Sequence, residues 1–327
     1  MSLHPWLNFD MADTADRISR KMREIVSATL LRRGCVVAVS GGIDSSVCAA
    51  LATLAMGKEK VFALILPERD SSPRSKELGV QLCEHLGIQY EVKDIDSTLE
   101  AIDCYRWRDD AIRSVFPDYR DGWKNKIVIS QNLLDLDRIN FFKIVVENPR
   151  GGRMEKRIPV SAYLQIVAAT NFKQRIRKTL EYFHADRLNY SVVGTPNRLE
   201  YDQGFFVKNG DGAADIKPIA HLYKSQVYEL GRFLGVPKSI CAAKPTTDTY
   251  SLSQGQDEFY FVLPYDRMDL ILCGLNGGIT AEVVAKEAGL TAEQVKRVFR
   301  DIRTKRSTTR PLHLGPVLME PVPEITK

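Results

Sequence analysis

The chain has 327 residues, 44% of them hydrophobic, with 46 basic and 41 acidic side chains and a net charge of +5. That is enough for one large α/β domain, or one domain with appendages. The mild basicity suits an anionic small substrate and does not demand nucleic acid. No apolar run reaches membrane-spanning length, and the N-terminus, with Trp6, Asp10 and Asp13, lacks a signal-peptide pattern. The six cysteines (35, 48, 83, 104, 241 and 273) form no C-x-x-C pair. This argues for free thiols in a reducing compartment and against a zinc site. The chain reads as a soluble cytoplasmic protein.

In chain order, Arg17 to Arg32 predicts an amphipathic helix with Ile18, Met22, Ile25, Leu30 and Leu31 as its apolar members. A strand at Cys35–Val39 runs into Ser40-Gly41-Gly42-Ile43-Asp44-Ser45-Ser46, and a helix follows to Met56. A strand at Val61–Leu66, a helix at Ser75–Leu86 ended by Gly87, and a strand near Gln89–Ile95 continue the alternation. Short apolar strands alternating with helices imply a doubly wound α/β fold: a mostly parallel sheet with helices on both faces. Arg106 to Val160 breaks the rhythm. Phe141–Glu147 and Arg153–Val160 flank Asn148-Pro149-Arg150-Gly151-Gly152 and read as a β-hairpin. This insertion is a surface elaboration, a lid or a partner surface.

Ala162–Phe183 predicts a long helix with Phe172, Ile176, Leu180 and Phe183 on one face. Its charged run Lys173, Arg175, Arg177, Lys178 reads mostly as a solvated face. A strand at Tyr190–Val193, a helix at Tyr223–Leu234, and two short helices near Thr280–Ala288 and Ala292–Arg303 complete the chain. The expected division is residues 1–275 as the main domain, with 106–160 inserted, and 276–327 as a helical tail.

A strand that turns through glycines into a helix N-terminus is an anion site, because backbone N–H groups and the helix dipole both favour negative charge. In the Ser40 loop two glycines allow close approach of a phosphate, and Asp44 can hold Mg2+ beside it. The loop lacks the lysine of G-x-x-x-x-G-K-[ST] and the spacing of G-x-G-x-x-G. The pattern S-G-G-x-D-S-S resembles the PP-loop of the ATP pyrophosphatases, which split ATP into AMP and pyrophosphate to activate a carbonyl or carboxyl group.

A second segment again follows an apolar strand: Val193-Gly194-Thr195-Pro196-Asn197-Arg198-Leu199-Glu200. Gly204-Phe205-Phe206-Val207-Lys208, Gly210-Asp211-Gly212-Ala213-Ala214-Asp215 and the helix-opening Lys224 come next. Lysines and acids set between glycines suit a binding loop. The order SGGIDSS, N-x-x-x-R, GT-x-N-x-x-E, GFF-x-K-x-GDG-x-x-D-x-x-P, Lys and PT-x-D resembles the NAD synthetases, above all over Asn171–Asp269. Those enzymes amidate nicotinic acid adenine dinucleotide by adenylating its carboxylate with ATP and attacking the adenylate with ammonia.

The resemblance implies that Ala38, Val39, Ser40, Gly41, Gly42, Ile43, Asp44, Ser45, Ser46, Thr195, Lys224 and Thr246 bind ATP. Asp44 and Glu200 would hold Mg2+; Arg175, Lys208 and Asp215 would contact the acid. Asp44, Lys208 and Lys224 would be the catalytic set. A homodimer is implied too. Use of glutamine would require a separate glutaminase partner, and free ammonia is simpler.

The chain departs from the family at Pro196, over Glu68–Pro73, in the insertion, and near the C-terminus. There Ser307-Thr308 stands where a His-Lys pair is usual. These departures motivate an alternative, a PP-loop amide ligase acting on another carboxylate such as a sugar acid. A nucleic-acid-modifying PP-loop protein and a non-catalytic nucleotide sensor are further alternatives. Thr280–Arg303 has helix-turn-helix spacing, with Lys296, Arg297 and Arg300 on its second helix. Reading DNA would need that helix exposed and basic.

Overall fold

The computed structural model describes residues 3–129, 141–243, 250–252, 255, 260, 261 and 263–325. Its strands are β1 (Cys35–Ala38), β2 (Val61–Ile65), β3 (Gln89–Val92), β4 (Lys124–Ile129), β5 (Phe142–Glu147), β6 (Arg153–Arg157) and β7 (Ser191–Val193). β3, β2, β1 and β7 form a wholly parallel sheet in that order, with Val36 paired to Phe62 on one side and Val192 on the other.

The strands are apolar on both faces because both faces are covered. Cys35, Val37, Val39, Ala63 and Ile65 enter one core with α1 (Met11–Glu24), α2 (Ile43–Met56), α3 (Pro73–Leu86) and α8 (Lys224–Phe233). Val36, Phe62 and Leu64 enter the other with α4 (Asp96–Ala101), α5 (Cys104–Arg113) and α6 (Val160–Leu188). The expected doubly wound fold is the observed one.

The first helix is shifted from its expected span. Asp10 caps it by accepting from the Asp13 N–H at 2.9 Å, so it starts six residues before Arg17, and it closes in a π turn at Ile25–Thr29. Leu31 takes φ +52° and is 73% exposed, so it is no part of the buried face.

The insertion holds three antiparallel strands, β4-β5-β6, rather than a hairpin alone. Asn148 makes the β5–β6 turn, its Oδ1 accepting from the Arg150 and Gly152 N–H groups at 2.9 Å. Ile127, Ile144 and Val146 face Ile112 of α5 and Ile166 of α6. β4 is hard to read because Lys124, Asn125 and Lys126 open it with no apolar residue.

The remaining helices are α7 (Arg198–Gln203), α9 (Lys238–Cys241), α10 (Tyr265–Asn276), α11 (Ala281–Ala288) and α12 (Ala292–His313). Leu199 of α7 packs in one cluster with Ile271, Val284, Val295 and Ile302. α12 runs ten residues beyond Arg303. Its Val295, Val298, Phe299 and Ile302 are buried, and Lys296 pairs with Glu282 and Glu293 at 3.1 and 3.2 Å. Among the described residues no helix is long and apolar enough to cross a membrane.

Candidate active site

The Ser40 loop sits at the carboxyl end of β1, where parallel sheets bind ligands. Val39 still donates to the Leu64 carbonyl at 2.8 Å, and the chain then leaves the sheet. Gly41 takes φ +78°, and a Cβ there would lie 2.4 Å from the Ser75 carbonyl oxygen, so only glycine fits. Gly42 caps α2 without a side chain, which leaves the first N–H groups of the helix facing outward. The serines brace the turn. Ser40 N–H donates to Ser45 Oγ at 3.2 Å, and the Ser45 and Ser46 hydroxyls donate to the Gly42 carbonyl at 3.1 and 2.8 Å.

Asp44, in the first turn of α2, is the hub. Its Oδ2 pairs with the Lys224 ammonium, and its Oδ1 accepts from Asn197 Nδ2 at 3.1 Å. Asn197 also forms a capping box on α7: its Oδ1 accepts from the Glu200 N–H at 3.3 Å, and Glu200 Oε2 accepts from the Asn197 N–H at 3.1 Å. One asparagine therefore orients both expected metal ligands.

Lys224 is 2% exposed. Its burial works against the charged form, but Asp44 and then Glu200 outweigh that, and its pKa is raised. Burial, followed by the same two carboxylates, pushes the Cys48 thiol up and keeps it neutral beneath the site.

Among the described residues no group of three or more His, Cys, Asp or Glu side chains could hold a metal ion. Mg2+ with a nucleotide needs only one or two carboxylates, since phosphate oxygens and water complete its shell. Asp44 and Glu200, facing one lysine, fit that pattern.

Asp269 fixes the start of α8. Its carboxylate accepts from the Lys224 N–H at 3.2 Å, and from Ser225 N–H and Oγ at 2.7 and 2.6 Å. Sequence reasoning misses its role, because nothing local marks a mid-helix aspartate as the cap of another helix.

The expected acid-binding residues divide. Arg175, exposed on α6, donates through Nε to the Lys208 carbonyl at 3.3 Å, so these two lie together. Asp215 instead braces the sheet edge, accepting from Val192 N–H at 2.7 Å and Tyr182 OH at 3.3 Å. Thr195 lies two residues beyond the end of β7, while Thr246 lies outside the described residues.

The C-terminal helix reaches this region despite the missing His-Lys pair. Thr308 turns its hydroxyl back to the Thr304 carbonyl at 3.0 Å. Lys208 Nζ donates to the Pro311 and Leu314 carbonyls at 2.9 and 3.1 Å, and the His313 ring stands edge-on to Tyr201 and Phe206. Gly204 admits the close pass: with φ +71°, a Cβ would meet Thr309 Cβ at 2.3 Å. A cleft of about 500 Å³ opens here, lined by Arg198, Tyr201, Lys217, His221, Arg306 and His313 among others. His313 lies outside every quoted motif and shows no sequence signal.

The NAD synthase family profile matches residues 14–114 and 142–310. The chain belongs to the NAD synthase family. It is similar to the NH(3)-dependent NAD(+) synthetase of Rhizobium meliloti, 57% identical over 319 residues that cover 98% of this chain and 95% of that protein. The NH(3)-dependent NAD(+) synthetase of Rhizobium rhizogenes is 55% identical over 316 residues, covering 97% and 95%. Among solved structures, the fold resembles the NH3-dependent NAD synthetase of Campylobacter jejuni, with a TM-score of 0.62, 21% identity, and coverage of 96% of this chain and 100% of that one. It also resembles the NMN synthetase of Francisella tularensis, with a TM-score of 0.64, 23% identity, and coverage of 95% and 99%. The internal stretch the family profile leaves unmatched, 115–141, lies in the insertion and contains β4.

Asp269 yields a pH prediction. Burial pushes its pKa to about 7, against the hydrogen bonds from Ser225 and Lys224 that pull it down. A carboxyl raised on folding holds its proton in the native state while the unfolded chain releases it, so its contribution to stability falls as pH rises from about 4 to 7. Comparing urea unfolding of Asp269→Asn and wild type, the gap moves in favour of the variant by about 2–3 kcal/mol between pH 5 and pH 8. A gap that stays constant contradicts the assignment.

Proposed function

We propose that this chain makes NAD by amidating nicotinic acid adenine dinucleotide with ammonia, splitting ATP to AMP and pyrophosphate. The family uses ATP, and the relatives named above are NH3-dependent NAD+ synthetases. The observation that carries the reading is the meeting of Asp44, Asn197, Glu200 and Lys224 at an uncapped helix N-terminus.

In this reading the Ser40–Ser46 loop, Ala38, Val39, Thr195 and Thr246 bind ATP, and Lys224 counters phosphate charge. Asp44 and Glu200 hold Mg2+, which when bound screens the phosphates from an incoming carboxylate. A carboxylate oxygen of the acid attacks the α-phosphorus, and pyrophosphate leaves with the electrons of the broken P–O bond. Ammonia then attacks the acyl carbon, AMP leaves, and the amide nitrogen sheds its extra proton.

No side-chain nucleophile is required. The chain's part is to hold two anions in line and to stabilise developing negative charge. Arg175 and Lys208, which lie together, contact the acid, while Asp215 braces the sheet edge. The cationic and aromatic lining of the cleft beside α7 suits a pyrophosphate-bridged dinucleotide.

Incubation with ATP, Mg2+, ammonium and the acid dinucleotide is expected to release AMP and NAD in equal amounts. AMP release with other carboxylates but no NAD would instead identify a related amide ligase. Asp44→Ala and Glu200→Ala are expected to lower AMP formation at least 100-fold, and wild-type turnover in both would remove the metal assignment. We also propose a homodimer in the cytoplasm. Light scattering at micromolar concentration is expected to give twice the 36.9 kDa chain mass, and a monomer would contradict it.

A further inference from the structure

The charged run on α6 is only partly solvated. Lys173 and Lys178 are 1% and 5% exposed, and Lys178 pairs with Glu181 at 2.7 Å. Lys173 instead reaches across to the loop after β2. Its Nζ lies 3.0 Å from Glu68 Oε1 and 2.6 Å from Asp70 Oδ2. Arg108 of α5 meets the same Asp70 oxygen at 2.5 Å, and the Tyr105 hydroxyl lies 2.8 Å from Glu68 Oε2. All four charged side chains are almost fully buried.

Such a network is a poor way to gain stability, because desolvating the charges offsets most of their attraction. Its distinguishing property is geometric: each group has one place to sit. The loop it holds lies beside the nucleotide loop. The first turn of α3, which this loop enters, supplies the Ser75 carbonyl against which Gly41 packs. Arg177, one turn beyond Lys173 on the same face, donates through Nε to the Leu66 carbonyl at 3.1 Å. Arg175 points to the opposite side and touches the Lys208 loop. One helix therefore grips the nucleotide side with one face and the expected acid side with the other.

We infer that Lys173 is a positioning residue for ATP. Through Glu68 and Asp70 it fixes the Leu66–Ser75 segment, and through the Gly41–Ser75 contact it fixes the backbone N–H groups that meet the phosphates. This rests on the reading above that the Ser40 loop takes ATP. The two are separable, because failure of wild type to turn over ATP defeats that reading, whereas this one is judged only by variants against wild type.

The test is steady-state kinetics of the double variant Glu68→Gln/Lys173→Met. It removes one charge of each sign and leaves Asp70 paired with Arg108. The expected result is a melting temperature within a few degrees of wild type, a KM for ATP raised at least 10-fold, and KM values for the acid and ammonium within 2-fold. A folded double variant with the wild-type KM for ATP overturns the proposal. So does one that loses only kcat, as a smaller active fraction would produce. Tyr105→Phe keeps the ring and removes the hydroxyl at Glu68. It is expected to raise the KM for ATP at least 2-fold, and an unchanged value overturns the proposal even where the double variant does not fold.

Discussion

The contact between Asp44 and Lys224 joins residues 180 positions apart and holds the site together. Asp44 is set by the turn from β1 into α2, and Lys224 by the start of α8, which Asp269 caps from α10. Both are drawn to one point at the carboxyl end of the sheet. Asn197 then adds α7, and with it Glu200, through the second oxygen of Asp44. A buried lysine left without its carboxylates would carry an uncompensated charge, so the pairing constrains three helices at once. It also accounts for the raised pKa of Lys224, because Asp44 and Glu200 hold its ammonium charged despite its burial.

The legible parts are those with a local physical signature. The Ser40 loop announces itself because strand, glycine turn and helix must follow one another in sequence to make an anion site. Glu200 is reached only through the GT-x-N-x-x-E resemblance, and the structure adds the physical reason for that spacing, a capping box closed on Asn197. The β1–β2–β3 alternation is legible because both faces of a parallel sheet are apolar. What escapes is set by distance along the chain. Asp269, His313 and the burial of Lys173 depend on partners 44 to 112 positions away. A lysine on a helix looks the same in sequence whether it meets water or two carboxylates.

α6 links these levels. Its length comes from apolar residues at Phe172, Ile176 and Leu180 that pack beneath the sheet. Its remaining faces carry Lys173 and Arg177 toward the loop after β2, and Arg175 toward Lys208. The Glu68–Pro73 segment therefore has a structural meaning, because its two acids answer Lys173 and Arg108. The C-terminal departure is similar. There the end of α12 meets Lys208 through backbone carbonyls.

Activation of the acid as an acyl-adenylate at the Ser40 loop is tested most directly by turnover with nicotinic acid adenine dinucleotide labelled with 18O in both carboxylate oxygens. Adenylation of the carboxylate places one 18O in the phosphate of each AMP released and none in pyrophosphate. AMP free of label, or label in pyrophosphate, would contradict it.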